Sequence, residues 1–172
     1  MNNPTSILIG KPLWRCTRAA DMACFQFGGR NKRSRDGKEF EVGDYALHVQ
    51  CSWRIIRGDE ILVGREDLFE PEEPAHNVES YFDWQKANLQ DARLKSLFMD
   101  GNRQFAVVGT ALRAAGNLGI LFDDELRLEV FPDSSVRRDD MEHWRLFVPS
   151  ADHNVAVTTP HIIYSGLGLR FE

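Results

Sequence analysis

The sequence predicts an α+β fold that is predominantly antiparallel β-sheet, as a meander or a sandwich-like arrangement, with one or two helices. Two observations carry that reading. Tyr45, Leu47, Val49, Cys51, Trp53 and Ile55 alternate with Ala46, His48, Gln50, Ser52, Arg54 and Ile56, and a period of two sends alternate side chains to opposite faces of a strand. Beyond residue 104, short apolar or alternating runs follow one another across close turns. That pattern belongs to sequence neighbours pairing with one another, not to alternating strand and helix units. At 172 residues the chain fits one domain with one core.

Taken in order, residues 7–14 are a short apolar lead-in interrupted by Gly10 and Pro12. Residues 15–28 read as a strand pair, with Met22, Cys24 and Gln26 on one face and Ala23, Phe25 and Phe27 on the other. Arg30, Lys32, Arg33, Arg35 and Lys38 then crowd a glycine-containing segment. A phosphate-gripping role would suit the charge. With no aromatic side chain interleaved for base stacking, the segment reads instead as a solvated loop. The run 45–56 is one long strand ending at Gly58-Asp59, a two-residue hairpin signal. That hairpin would place Ile55 opposite Leu62 and Trp53 opposite Gly64.

Glu70, Pro71, Glu72, Glu73 and Pro74 interrupt any regular element. The segment 80–100 then carries the helical case. Ser80 and Asp83 resemble a capping box, Leu94, Leu97 and Phe98 share one face, and Gly101 supplies a stop. The second half, after Lys86 to Gln90, is the more regular. Strands are expected over 105–112, 118–122, 126–131, 142–148, 154–158 and 161–164. A tight turn is expected at Asp123-Asp124, with loops at 149–152 and around Gly166 and Gly168.

A formal net charge of -5 argues against general nucleic-acid binding. No apolar run approaches the roughly 20 residues that cross a bilayer. The polar first residues lack a signal-peptide pattern, which predicts a cytoplasmic protein. Cys16, Cys24 and Cys51 have no metal-ligand spacing and read as reduced, buried thiols. His143, His153 and His161 form no recognised zinc set, so neither a metal nor a cofactor is expected.

The leading polar constellation is the face His48, Gln50, Ser52 and Arg54. Alternate strand residues sit about 6.6 to 7 Å apart, a line and not a cluster, so any catalytic partner must come from elsewhere. Asp67 is a candidate to pair with Arg54 or to orient His48. Glu129 and Arg145 alternate away from apolar neighbours, and with Arg54 they would build a polar pocket or a plain cross-strand ion pair. Asp133, Ser134 and Ser135 after Pro132 read as turn chemistry. A protein-binding surface is the other candidate: Glu70, Glu72 and Glu73 beside Tyr81, Phe82 and Trp84 combine charge with aromatic anchors.

The run Ala46-Leu47-His48-Val49-Gln50-Cys51-Ser52-Trp53-Arg54-Ile55, with Val63-Gly64 and Asp67, resembles a group of bacterial proteins of unassigned activity. So do Leu128-Glu129-Val130-Phe131-Pro132 and Glu142-His143-Trp144-Arg145-Leu146. The resemblance implies a small cytoplasmic bacterial protein and carries over no catalytic residue. In size and acidity the chain is also similar to immunity proteins that neutralise bacterial toxins. The reading is therefore a non-enzymatic binding protein with a protein partner. The alternatives are a small-molecule binding module or an enzyme using the face around Arg54.

Overall fold

In the computed structural model, residues 3–73, 82–149 and 162–171 are described. The strands are β1 (Pro12–Ala19), β2 (Met22–Phe27), β3 (Asn31–Arg35), β4 (Lys38–Val42), β5 (Tyr45–Val49), β6 (Ser52–Arg57) and β7 (Glu60–Gly64). After the helix come β8 (Phe105–Leu112), β9 (Leu118–Phe122), β10 (Leu126–Phe131), β11 (Glu142–Phe147), β12 (Ile162–Ser165) and β13 (Gly168–Phe171). Eleven of them form one antiparallel sheet in the order β13-β12-β11-β5-β2-β1-β8-β9-β10-β6-β7, while β3 and β4 make a separate ribbon. The α+β, sheet-dominated expectation holds. The expected strand at 154–158 lies outside the described residues.

The sheet folds over on itself at the join between β1 and β8, where only Pro12↔Ala106 and Leu13↔Phe105 pair. Two layers result, and aromatic side chains bridge them. Phe25 of β2 meets Trp53 of β6 edge-on at 5.3 Å, and Phe27 stacks with Phe122 of β9 at 6.5 Å. One hydrophobic cluster takes in residues of both layers, from Trp144 and Ile162 to Ile55 and Val63.

The single long strand expected over 45–56 is in fact two. β5 pairs with β2 and β11 in one layer, and β6 pairs with β10 and β7 in the other. The chain crosses between layers at Gln50 and Cys51. There the Gln50 amide donates to the His143 carbonyl at 2.8 Å and the Ser52 amide to Asp133 Oδ2 at 3.1 Å. Alternation survives the crossing because both layers turn their inner faces to the same core. Leu47, Val49, Cys51, Trp53 and Ile55 are accordingly all buried.

The Gly58-Asp59 turn is as expected, with Arg57 opposite Glu60, but a bulge shifts the register beyond Ile56. Ile55 faces Val63 and Arg54 faces Gly64, not the pairs Ile55–Leu62 and Trp53–Gly64. The extra residue, Leu62, lets Val63 reach the core, where it is fully buried. The basic segment is likewise not a loop. Arg35 pairs with Lys38 across Asp36-Gly37, both at positive φ, as a two-residue hairpin requires. Gly168, expected in a loop, opens β13, and Gly166-Leu167 is the turn.

Helix α1 (Leu89–Leu94) continues as one π turn over Lys95–Met99. Its N-cap is Asn88, whose Oδ1 accepts from the Asp91 amide at 2.8 Å; residues 82–88 before it are not helical, and Ser80 lies outside the described residues. Leu94 and Phe98 face the core. Two polar side chains of α1 serve the β7 end: exposed Arg93 donates to the Leu62 carbonyl at 2.9 Å, and buried Gln90 to the carbonyls of Gly64 and Arg65. Unpaired strand-edge acceptors are thereby satisfied from within the chain. No described helix is long and apolar enough to cross a membrane.

Candidate functional site

The layer crossing decides what becomes of the polar face. His48 and Arg54 follow one another on the alternation, yet they sit in different layers, and the six candidate residues separate into two groups and a singleton. On β6 and β10, Arg54 Nε and Nη2 donate to Glu129 Oε2 at 2.8 and 2.7 Å. Arg127 takes the other oxygen at 2.8 Å. Both oxygens of that carboxylate are thus engaged, and Arg54 also lies 5.3 Å over the Phe131 ring. The arrangement is a closed cross-strand bridge with no free base in it.

Arg145 does not join that bridge. It pairs with residues of its own layer: Glu142 at 3.4 Å and His48 Nδ1 at 3.4 Å from Nη2. Gln50 Nε2 donates to the same Glu142 at 3.3 Å. The pocket expected from Arg54, Glu129 and Arg145 is therefore not formed, because β11 pairs with β5 and not with β6. Asp67 reaches neither Arg54 nor His48. Its Oδ2 accepts from the Gly64 amide at 3.0 Å and caps the 3-10 turn Arg65–Phe69.

A cysteine and a histidine do come face to face. Cys24 is the direct cross-strand partner of His48, the juxtaposition from which thiolate–imidazolium pairs are made. Their surroundings oppose it. Burial raises the Cys24 thiol, while burial and then the Arg145 guanidinium push His48 down to about 4. Arginine has no acceptor, so the Arg145 contact fixes Nδ1 as the lone-pair nitrogen of a neutral ring. The imidazole is packed edge-on against Phe147 at 4.7 Å. Neither group is primed for nucleophilic chemistry. Cys16, Cys24 and Cys51 are all buried and free, and burial pushes Cys51 up to about 12.

His48 does give the fold a pH response. Its folded value lies below the ordinary 6.5, so between pH 6.5 and 4 the unfolded chain binds a proton that the folded chain refuses. Stability from this group is complete above pH 6.5 and declines as pH falls towards 4. Solvent screening at a ring that is only half-buried reduces the effect to on the order of 1–2 kcal/mol. Urea midpoints at pH 7.5 and 4.5 should converge for wild type and His48→Gln at the lower pH. An equal acid loss in both proteins would place the effect elsewhere.

The acidic corner lies beyond β7. Glu70, Glu72 and Glu73 are exposed, and none forms an ion pair with another described residue. Trp84 and Phe82 are half-buried; Tyr81 lies outside the described residues. Trp84 is ordered from two sides. Arg18 sits over its ring at 5.9 Å, itself clamped by Asp91 at 2.9 Å, and Phe69 meets it at 5.9 Å. Phe69 is 42% exposed. It carries no signal of its own in the sequence, where two apolar residues simply follow Arg65-Glu66-Asp67.

A third feature was not legible in the sequence. The segment after β10 has no turn between 132 and 138, contrary to its Pro-Asp-Ser-Ser composition. Asp133 is drawn away to accept from the Ser52 hydroxyl at 2.5 Å, and the chain then runs over the β12–β13 hairpin. Between them is a cleft of about 340 Å³ lined by Ser134, Ser135, Arg137, His143, Tyr164 and Ser165, among others. Among the described residues no cluster of His, Cys, Asp and Glu is arranged to hold a metal ion. Compared with protein-family models, with curated proteins and with solved structures, the chain matches none.

Proposed function

We propose that the chain is a binding protein, without catalytic activity of its own, that docks a protein partner at the acidic corner. The observation that supports it best is the Phe69–Trp84 pair, an exposed ring held against an anchored indole, followed in the chain by exposed Glu70, Glu72 and Glu73, none of them ion-paired with another described residue. Pre-ordered aromatics with an exposed acidic run alongside suit a hot spot with electrostatic steering, and the two cations over the rings, Arg18 and Arg65, are already paired with Asp91 and Asp21. The partner that complements this corner carries a basic patch around an apolar pocket. A cytoplasmic, bacterial, immunity-like role, neutralising a basic toxin, belongs to this reading.

The bridge at Arg54 and the neutral, packed His48 speak against the alternative in which the polar face is an enzyme site. The test is kinetic. With the partner isolated, Glu72→Lys together with Glu73→Lys should slow association about tenfold at low salt and flatten its salt dependence, leaving the melting temperature unchanged. Phe69→Ala should raise the dissociation rate instead. Unaltered kinetics in both variants would remove the corner from the interface.

A further inference from the structure

The cleft beside β12 carries an inference separate from the acidic corner. Its polar groups have a common sense. Ser134 Oγ accepts from the Val136 amide at 3.2 Å and Ser165 Oγ from the Leu167 amide at 3.3 Å. Each hydroxyl oxygen thus has one lone pair engaged by an amide, and each hydroxyl proton remains to be donated. Arg137 forms no ion pair with another described residue, whereas its neighbours do: Arg138 pairs with Asp140, and Asp139 with Arg170 of β13. No carboxylate lines the cleft. His143 is 3% exposed, and no hydrogen bond joins its ring to another described residue, although it packs on Tyr164 at 6.0 Å. Neither ring nitrogen is a fully buried unpaired atom, so the imidazole meets solvent or a ligand in the cleft.

The walls of the cleft are rigid. Tyr164 stacks on Trp144 at 6.0 Å, and the Trp144 indole donates to the Gly116 carbonyl at 2.8 Å. Gly166 packs against the backbone of Val136 and Arg138 so closely that a Cβ would fall 2.1 Å from the Val136 carbonyl oxygen. The segment bearing Ser134, Ser135 and Arg137 is thereby held in place over the hairpin bearing Ser165. The volume is at the lower end of what small-ligand sites enclose.

We propose that this cleft binds a small oxyanion-bearing molecule. Arg137 supplies the charge, and Ser134, Ser135 and Ser165 donate hydroxyl protons. His143 contributes a ring nitrogen, and the Tyr164 face carries the remainder of the ligand. The shared chemistry is an oxyanion, and phosphate and carboxylate are its two sources.

The experiment titrates the full chain with inorganic phosphate and, separately, with benzoate, at constant ionic strength made up with chloride, while the histidine ring protons are followed by NMR. His143→Asn identifies the His143 signal by its loss. A saturable shift of that signal, with the His48 signal unmoved, is expected from whichever oxyanion fits. Saturation by phosphate alone identifies a phosphorylated ligand, and by benzoate alone a carboxylate. Arg137→Gln should weaken binding about tenfold or more, as loss of a charge-assisted contact does, and Ser165→Ala should weaken it less. Both variants should keep the wild-type spectrum elsewhere, and Arg137 is exposed, so its replacement does not endanger the fold. A signal unmoved by either anion, or binding equally strong in Arg137→Gln, would overturn the proposal.

Discussion

Trp53→Ala is expected to cost about 3–5 kcal/mol, enough to unfold much of a population of ordinary marginal stability. The indole is 3% exposed and lies where the two layers meet, its ring edge-on to Phe25 at 5.3 Å. Removing it leaves a cavity between sheets that are tied at the β1–β8 join and cannot simply close up. Phenylalanine makes the sharper comparison. Trp53 Nε1 is buried without a hydrogen-bond partner, so Trp53→Phe loses volume but also removes an unmatched donor, and should cost about 1–2 kcal/mol. Urea unfolding of the pair checks this. A change within about 0.5 kcal/mol for the alanine variant would show that the indole does not fill the core.

Gly116→Ala is the second large effect. Gly116 has φ +70, and a Cβ there would lie 2.3 Å from Tyr164 Cε1. The left-handed conformation costs a non-glycine residue about 1–2 kcal/mol, and overpacking adds about 1–3 kcal/mol. Neither can be relieved locally: Tyr164 is backed by Trp144, and the Gly116 carbonyl is already the acceptor for the Trp144 indole. A loss of about 2–5 kcal/mol is expected by denaturant unfolding. Weakened near-ultraviolet circular dichroism from Trp144 should accompany it. A variant as stable as wild type would mean that the 114–116 turn is free to move away from β12.

Most of the sheet was legible because a half-buried strand must alternate, and the runs at 105–112, 118–122 and 126–131 match β8, β9 and β10 in their bounds. The same rule hid the break at Gln50 and Cys51. A chain passing between two layers that share a core keeps its parity, and the sequence carries no mark of the crossing. The bulge at Leu62 was equally silent, since Ile61, Leu62 and Val63 are all apolar and only packing selects Val63 for the interior. Asp36-Gly37 was a readable hairpin signal masked by the surrounding charge. Of the candidate site residues, Arg54 finds Glu129 and not Asp67, because β6 and β10 place the two directly opposite while Asp67 caps the turn after β7. Arg145 was misassigned for want of the layer boundary. The cleft was invisible: Ser134, His143 and Ser165 stand in different segments, and only the course of 132–138 over the β12–β13 hairpin brings them together.

The narrow join between β1 and β8 also bears on how the molecule assembles. Its two residue pairs close a loop of roughly ninety residues, whereas β6–β7, β9–β10 and β12–β13 each close across two or three residues. Loop-closure entropy favours the short hairpins first, and pairings so distant along the chain put the protein among slow folders, on the order of milliseconds to seconds. Until that join closes, Phe25 and Trp53 belong to separate, half-exposed sheets. The pairing of β5 with β11, Leu47 opposite Leu146, spans a loop at least as long, so both distant closures follow the hairpins.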